Sequence, residues 1–249
     1  MCGRYTLFLE QAALEQRFDA SFPAGNSWAP RYNMAPGQDL PVITDADPDR
    51  FDRLEWGLVP HWADDDSGGA INARVETVAE KPSFARAYAA DDEARAVDGT
   101  RTAGRCLVPA NGFYEWVETD RGSQPYRVAF EDDRAFAMAG LWERWEPDDS
   151  TTQTGLDAFG GGSSDAEDDP NGPLETFTVL TTEPNDLVGE LHHRMAVILD
   201  PDQEREWLTA PDPSGLLEPY PGDDFEAYPV STAVNSPATD DPSLVAPLE

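Results

Sequence analysis

Lysine is nearly absent from this sequence: Lys81 stands beside 16 arginines, and these 17 basic residues face 49 acidic ones, for a formal net charge of −32. Cysteine is scarce too, with Cys2 and Cys106 alone, and histidine occurs three times. No run approaches the roughly 18 apolar residues of a membrane-spanning helix. The amino-terminal stretch lacks the basic flank and apolar core of a signal peptide. The reading is a soluble cytoplasmic protein with no membrane partner. In a reducing cytosol a Cys2–Cys106 disulfide is not expected. Two Cys and three His at these spacings make no recognisable zinc site, so neither metal nor cofactor is expected. What is present in quantity is apolar: 39% hydrophobic residues, including seven Trp and eleven Phe, argue against global disorder in a chain of 249 residues.

The shortage of positive charge seems at first to exclude a nucleic-acid partner. That inference assumes ordinary salt. Acidic excess with almost no lysine is also what an extreme halophile's cytosol, of haloarchaeal type, favours. At molar salt the Debye length falls to about 3 Å and self-repulsion is screened. Where the few cations sit then matters more than the sum. Arg4, Arg74, Lys81, Arg105 and Arg194 lie inside unusual motifs, Arg86 just beyond one, and no Lys or Arg occurs between Arg144 and Arg194.

Leu9, Ala13, Leu14 and Phe18 have helical spacing, which predicts a helix over 9–19. A Pro/Gly/Asn-rich loop follows, through Pro30 and Pro36. Strand-like runs cover 40–44, 53–58, 105–109, 113–118, 126–131, 135–142, 175–181 and 195–199. Residues 131–134 sit between two apolar runs and read as a hairpin connection. Asp200-Pro201 followed by Gln203 resembles an N-cap, an N1 proline and a capping partner, predicting a helix over 201–209. Residues 147–172, rich in Gly, Ser and Asp, cannot bury enough surface to offset their ordering entropy. They are expected to be a flexible acidic insertion in one α+β domain, mostly antiparallel, spanning 1–249.

Cys2 follows the initiator methionine. Its small side chain permits removal of Met1, which would leave an α-amine and a thiol on adjacent carbons. An amine titrating at about 8 and a thiol at about 8.5 both have usable nucleophilic fractions near neutrality. With an aldehyde the amine forms an imine and the thiol closes a five-membered thiazolidine. With an amide the thiol attacks while the amine serves as base. Taken alone, Cys2 reads equally as an incidental buried cysteine. Cys106, inside the apolar run 105–109, reads as a buried structural residue.

Other stretches carry chemistry. Glu115 is one carboxylate among Phe113, Tyr114 and Trp116. Partial desolvation would raise its pKa and suit it to proton transfer, though strand alternation would place it in water instead. His192 and His193 can shuttle protons near neutrality, or form a surface pair. Asn72 can orient a substrate or simply cap a turn. Arg74 and Arg194 can hold phosphates or pair with the protein's own carboxylates.

Together, MCGRYT (1–6), RYNMAPGQ (31–38), EWGLVPHW (55–62), INARVET (71–77), KPSF (81–84), RCLVPANGFYEW (105–116), LHHRMAVIL (191–199) and VNSPATD (234–240) resemble the SOS-response-associated peptidase (SRAP) family, also described as abasic-site processing proteins. The resemblance implies a barrel-like β core with flanking helices. It implies binding, as a monomer, to single-stranded DNA containing abasic sites. It also implies a covalent thiazolidine between Cys2 and the ring-opened sugar aldehyde, shielding the lesion. By that resemblance Cys2, Asn72, Glu115 and His192 are the catalytic set, and Arg4, Trp62, Arg74, Lys81, Arg86 and Arg194 contact DNA. A small neutral-to-positive groove around Cys2 is expected on an acidic body. His193 stands where the family often has an acidic residue, and Ala196 where it usually has proline.

Three rivals remain at this level. A class II glutamine amidotransferase domain also begins with a processed Met-Cys-Gly, but the motifs at 71–77, 105–116 and 191–199 do not belong to it. A non-catalytic module recognising DNA ends or modified bases would not need Cys2. A peptidase, as the family name says, would use the thiol with Glu115 and His192. With nothing visible before Met1, self-cleavage is not expected to be required.

Overall fold

The computed structural model describes residues 2–66, 68–89, 91–120, 122–147 and 172–248. In chain order the elements are β1 (Tyr5–Leu7), α1 (Gln11–Phe18), β2 (Arg31–Met34), β3 (Asp39–Thr44), β4 (Asp47–Trp56), β5 (Asn72–Arg74), α2 (Pro82–Tyr88), β6 (Ala96–Val97), β7 (Thr100–Arg101), β8 (Ala103–Ala110), β9 (Gly112–Thr119), β10 (Gly122–Phe130), β11 (Phe136–Trp145), β12 (Leu174–Thr182), α3 (Asp186–Gly189), β13 (Met195–Ala196), β14 (Ile198–Leu199), α4 (Glu204–Thr209) and β15 (Phe225–Pro229).

Five strands close on themselves. The order β12-β4-β3-β8-β11 returns to β12, because β11 and β12 pair from Gly140↔Val179 to Trp145↔Leu174. Every ring pair is antiparallel except β12–β4, where Phe177 faces Trp56. Closure removes the unpaired edges that an open sheet would expose. It also crowds the interior. A Cβ at Gly140 would lie 2.8 Å from Cys106 Sγ and 2.9 Å from Thr178 O, so only glycine fits there. The long apolar runs behave as read: all of β8 is buried, as expected of a strand covered on both faces. β5 and β13 add to β12, and β14 adds to β11.

A second sheet runs β15-β10-β9-β1-β2. The chain passes from ring to sheet at Asn111, between β8 and β9, and returns through 131–134, between β10 and β11. The hairpin expected at 131–134 is therefore corrected. β10 pairs with β9 and β15, while β11 pairs with β8, β12 and β14. The two apolar runs face different sheets, and the turn between them, with Asp133 at φ 54°, is a corner. Arg127, 1% exposed, ties both crossings together: Nη2 donates to Asn111 O at 2.9 Å and to Asp133 Oδ1 at 2.7 Å.

Helices close the ends. α1 buries Leu14 and Phe18, and Arg17 makes a two-pronged bond to Glu204 of α4 at 2.6 and 3.1 Å. α1 is shorter than the expected 9–19 because Glu10 is still extended as its N-cap and Asp19 turns left-handed at φ 50°. Gln203 does receive the Asp200 N–H at 3.0 Å, as the capping pattern predicts, but 201–203 form a turn and the helix starts at Glu204. Of the acidic insertion expected at 147–172, residues 148–171 lie outside the described residues. Among the described residues no helix is long and apolar enough to cross a membrane.

Candidate active site

Cys2 lies three residues ahead of β1. That strand is central in the second sheet, between β9 (Tyr5↔Phe113) and β2 (Tyr5↔Met34). The Tyr114 N–H donates to Arg4 O at 2.9 Å, carrying the pairing toward the amino end. Glu115 thus comes alongside Cys2. The ring contributes Asn72: β5 pairs in parallel with β12, and Asn72 Nδ2 donates to Cys2 O at 2.9 Å. Asn72 Oδ1 is buried and accepts no hydrogen bond among the described residues.

Cys2 is fully buried, with Sγ 4.0 Å from Arg4 O. Burial, reinforced by the negative charge of Glu115, pushes the thiol up to about 12. Burial likewise pushes Glu115 up to about 7, although the positive charge of the amino terminus opposes it. A carboxyl so placed is divided between acid and base forms near neutral pH.

His192 sits in the loop after α3, its N–H bonded to Val188 O at 2.8 Å. Its Nδ1 lies 3.0 Å from Arg194 O and 3.1 Å from Arg194 N, and its ring lies 4.2 Å from that of His193, tilted by 36°. Burial lowers its pKa; the hydrogen bond to the Arg194 backbone opposes this, while the charges of the amino terminus, His193 and Arg194 add to the lowering. The charge of the amino terminus thus acts on Cys2, Glu115 and His192 alike. The structure brings the four expected residues into one neighbourhood. Ala196 takes its place in β13 opposite Thr181 without the family's proline.

Two motifs turn out to hold this amino end in place. Arg4 Nη1 donates to Asn33 Oδ1 at 3.0 Å and to Val234 O at 2.8 Å. Asn33 Nδ2 reaches the carbonyls of Val234, Ser236 and Thr239 at 3.2, 2.9 and 2.7 Å. The Asp240 carboxylate accepts from Tyr32 N, Asn33 N and Arg31 Nε. The segments 31–34 and 234–240 are thus one hydrogen-bonded unit beneath Arg4. Asn33 and Asp240 were not among the residues singled out; the signal available was that their motifs occur together.

The six expected DNA contacts divide. Arg74 and Lys81 are exposed and carry no ion pair or side-chain hydrogen bond among the described residues, and Trp62 is 54% exposed. The other three are tied internally. Arg86 spends Nε, Nη1 and Nη2 on Ala94 O, Glu143 and Thr102. Arg194, 7% exposed, holds Glu76 Oε2 at 3.0 Å and also donates to Thr181 O. Arg4 holds Asn33 and Val234. The free positive charge near Cys2 is therefore smaller than the sequence suggested. A further unforeseen link is His61 Nδ1, 2.5 Å from the Glu143 carboxylate that Arg86 also holds.

A ring-and-sheet fold that buries the second residue, Cys2, beside a raised carboxyl, an amide and an imidazole groups a thiol with acid–base side chains at the amino end of the chain. The family described as SOS response associated peptidase (SRAP) matches residues 1–237, and the chain belongs to it. It is 39% identical to the abasic site processing protein YoqW of Bacillus subtilis (strain 168), over 98% of this chain and 99% of that one. It is 29% identical to the abasic site processing protein HMCES of Gallus gallus, over 100% of this chain and 78% of that one. A solved structure from Bacteroides thetaiotaomicron shares the fold with a TM-score of 0.77, at 23% identity over the whole of both chains.

Proposed function

We propose that this protein processes abasic sites in single-stranded DNA by covalent capture on Cys2. After removal of Met1, the Cys2 amine adds to C1′ of the ring-opened sugar. Loss of water gives an imine. The thiol then adds to C1′, its proton is passed to nitrogen, and the thiazolidine closes. One water leaves overall and no redox partner is needed. The product lacks the free aldehyde that drives strand cleavage by β-elimination.

The observation that carries this reading is Glu115, buried beside Cys2 with a pKa raised to about 7. It can give a proton to the departing hydroxyl and take one from a thiol that is otherwise protonated at neutral pH. His192, held through Nδ1 by the Arg194 backbone, assists ring opening. Asn72 holds the Cys2 carbonyl, and its Oδ1 can accept from the freed amine. Arg74 and Lys81 meet phosphates and Trp62 stacks on a base near the lesion, contacts that are indifferent to sequence.

The deciding experiment is intact mass spectrometry before and after incubation with an abasic oligonucleotide. Loss of Met1 and an adduct, abolished by Cys2→Ala, is expected. An unmodified mass with Met1 retained overturns the mechanism.

A further inference from the structure

Three cations of this lysine-poor chain converge far from Cys2, at the other end of β8. Arg105 is the third residue of that strand and Ala110 closes it beside the Cys2 sheet, about 17 Å apart at the usual strand rise. There a cleft of 280 Å³ is lined by Arg95, Arg101, Arg105, Asp45 and Asp92, with the end of α4. The β6–β7 ribbon forms its rim, turned tightly at Asp98 and Gly99, both at positive φ.

The charges do not balance. Asp45, 2% exposed, accepts from both Arg95 Nη1 (2.6 Å) and Arg101 Nη1 (2.9 Å) through one oxygen. Its other oxygen takes Trp142 Nε1 at 3.0 Å. Arg105 caps α4, donating to Trp207 O and Ala210 O at 2.7 Å each. Among the described residues Asp92 pairs with Arg101 and is 78% exposed, and Asp212, which feels the charge of Arg105, is exposed as well, so water screens both. One buried carboxylate thus faces three guanidinium groups.

Donors are left over as well. Arg95 is 3% exposed along its side chain, yet Nε and Nη2 have no hydrogen-bond partner among the described residues, nor does Arg105 Nε. Nε and Nη2 form the side-on edge of the guanidinium, two parallel N–H groups spaced for two oxygens of one anion. Each buried charged donor left unpaired is costly. Burial also lowers the Arg95 pKa and brings Arg105 down to about 10, as expected of cations short of counter-charge.

We propose that this cleft is a phosphate-class oxyanion site, with the side-on edge of Arg95 as its principal ligand and Arg101 and Arg105 supplying charge. The occupant is inorganic phosphate or the terminal phosphate of a nucleotide chain; both present the same oxygens.

The test is titration of inorganic phosphate into the full chain at fixed ionic strength, by calorimetry and ³¹P line broadening. Saturable one-site binding to the wild type is expected. Arg95→Lys keeps the ion pair to Asp45 but lacks the fork, and should bind about tenfold or more weakly. Arg134→Gln, at the 131–134 corner away from both sites, should bind as the wild type does. Displacement of phosphate by a 5′-phosphorylated but not a 5′-hydroxyl oligonucleotide assigns the site to nucleic-acid ends; displacement by neither assigns it to free phosphate. No saturable binding to the wild type, or equal binding to Arg95→Lys, overturns the proposal.

Discussion

Asn72 Nδ2 donates to the carbonyl oxygen of Cys2 at 2.9 Å, across 70 residues of sequence and between the ring and the second sheet. The bond fixes the peptide that carries both nucleophiles. Replacing Asn72 with Ala or Asp removes the donor, and adduct formation at saturating abasic DNA should slow about 10- to 100-fold. Affinity for intact single strands should hold. Wild-type rates in both variants would show that the Cys2 carbonyl needs no anchor.

Glu115 predicts two pH effects. The rate of cross-linking should change with an inflection near 7, and Glu115→Gln should lose that inflection along with about 10²- to 10⁴-fold in rate. Stability should respond in the opposite sense. The folded pKa of about 7 lies above the ordinary 4.5, so the native state loses stability as pH rises between these values. At pH 8 the Gln variant should be more stable by up to about 3 kcal/mol, and at pH 4 by little. Melting curves at the two pH values check the sign.

Arg74 and Lys81 are exposed and without side-chain partners among the described residues. Arg74→Ala should weaken non-covalent binding to any single strand and reduce the slope of log K against log salt by about 0.7. Trp62→Ala should lose about 1–3 kcal/mol of stacking with little change in that slope. A change in slope for Trp62 and not for Arg74 would reverse the assignment.

Covalent capture also separates two salt responses. Non-covalent binding should fall steeply toward molar KCl, while cross-linking persists. One abasic oligonucleotide measured both ways decides this. Parallel loss of both would leave the acidic surface incompatible with the proposed chemistry.

Asn33→Ala strands three carbonyls of the 234–239 segment and loosens Arg4. The loss should be about 2–4 kcal/mol, with faster proteolysis near the carboxyl end. Unchanged melting and proteolysis would mean that the unit beneath Arg4 is held elsewhere.

Much of the ring was legible because its strands are long and buried on both faces, so apolar runs such as 105–109 and 135–142 announce them. β1, β2 and β15 were not read as strands. They are short, and their pairing partners rather than their own pattern define them. The 131–134 corner looked like a hairpin because the turn chemistry is local, whereas the destination of each flanking strand is not. Cys2, Asn72, Glu115 and His192 were readable through their motifs. Internal pairing of Arg194 stood as one of two readings, but its partner, and the engagement of Arg86 altogether, were not legible, since the carboxylates lie 118 and 57 residues away.

The ring closes where Trp145 faces Leu174, and this pairing has a use beyond stability. The chain leaves the ring and re-enters it at a single spot, so the ends of whatever joins them are already held together. Closure entropy grows only with the logarithm of length, by about 0.6 kcal/mol for each doubling. A reporter or a binding peptide spliced at that junction is therefore expected to leave the ring closed and Cys2 with its neighbours.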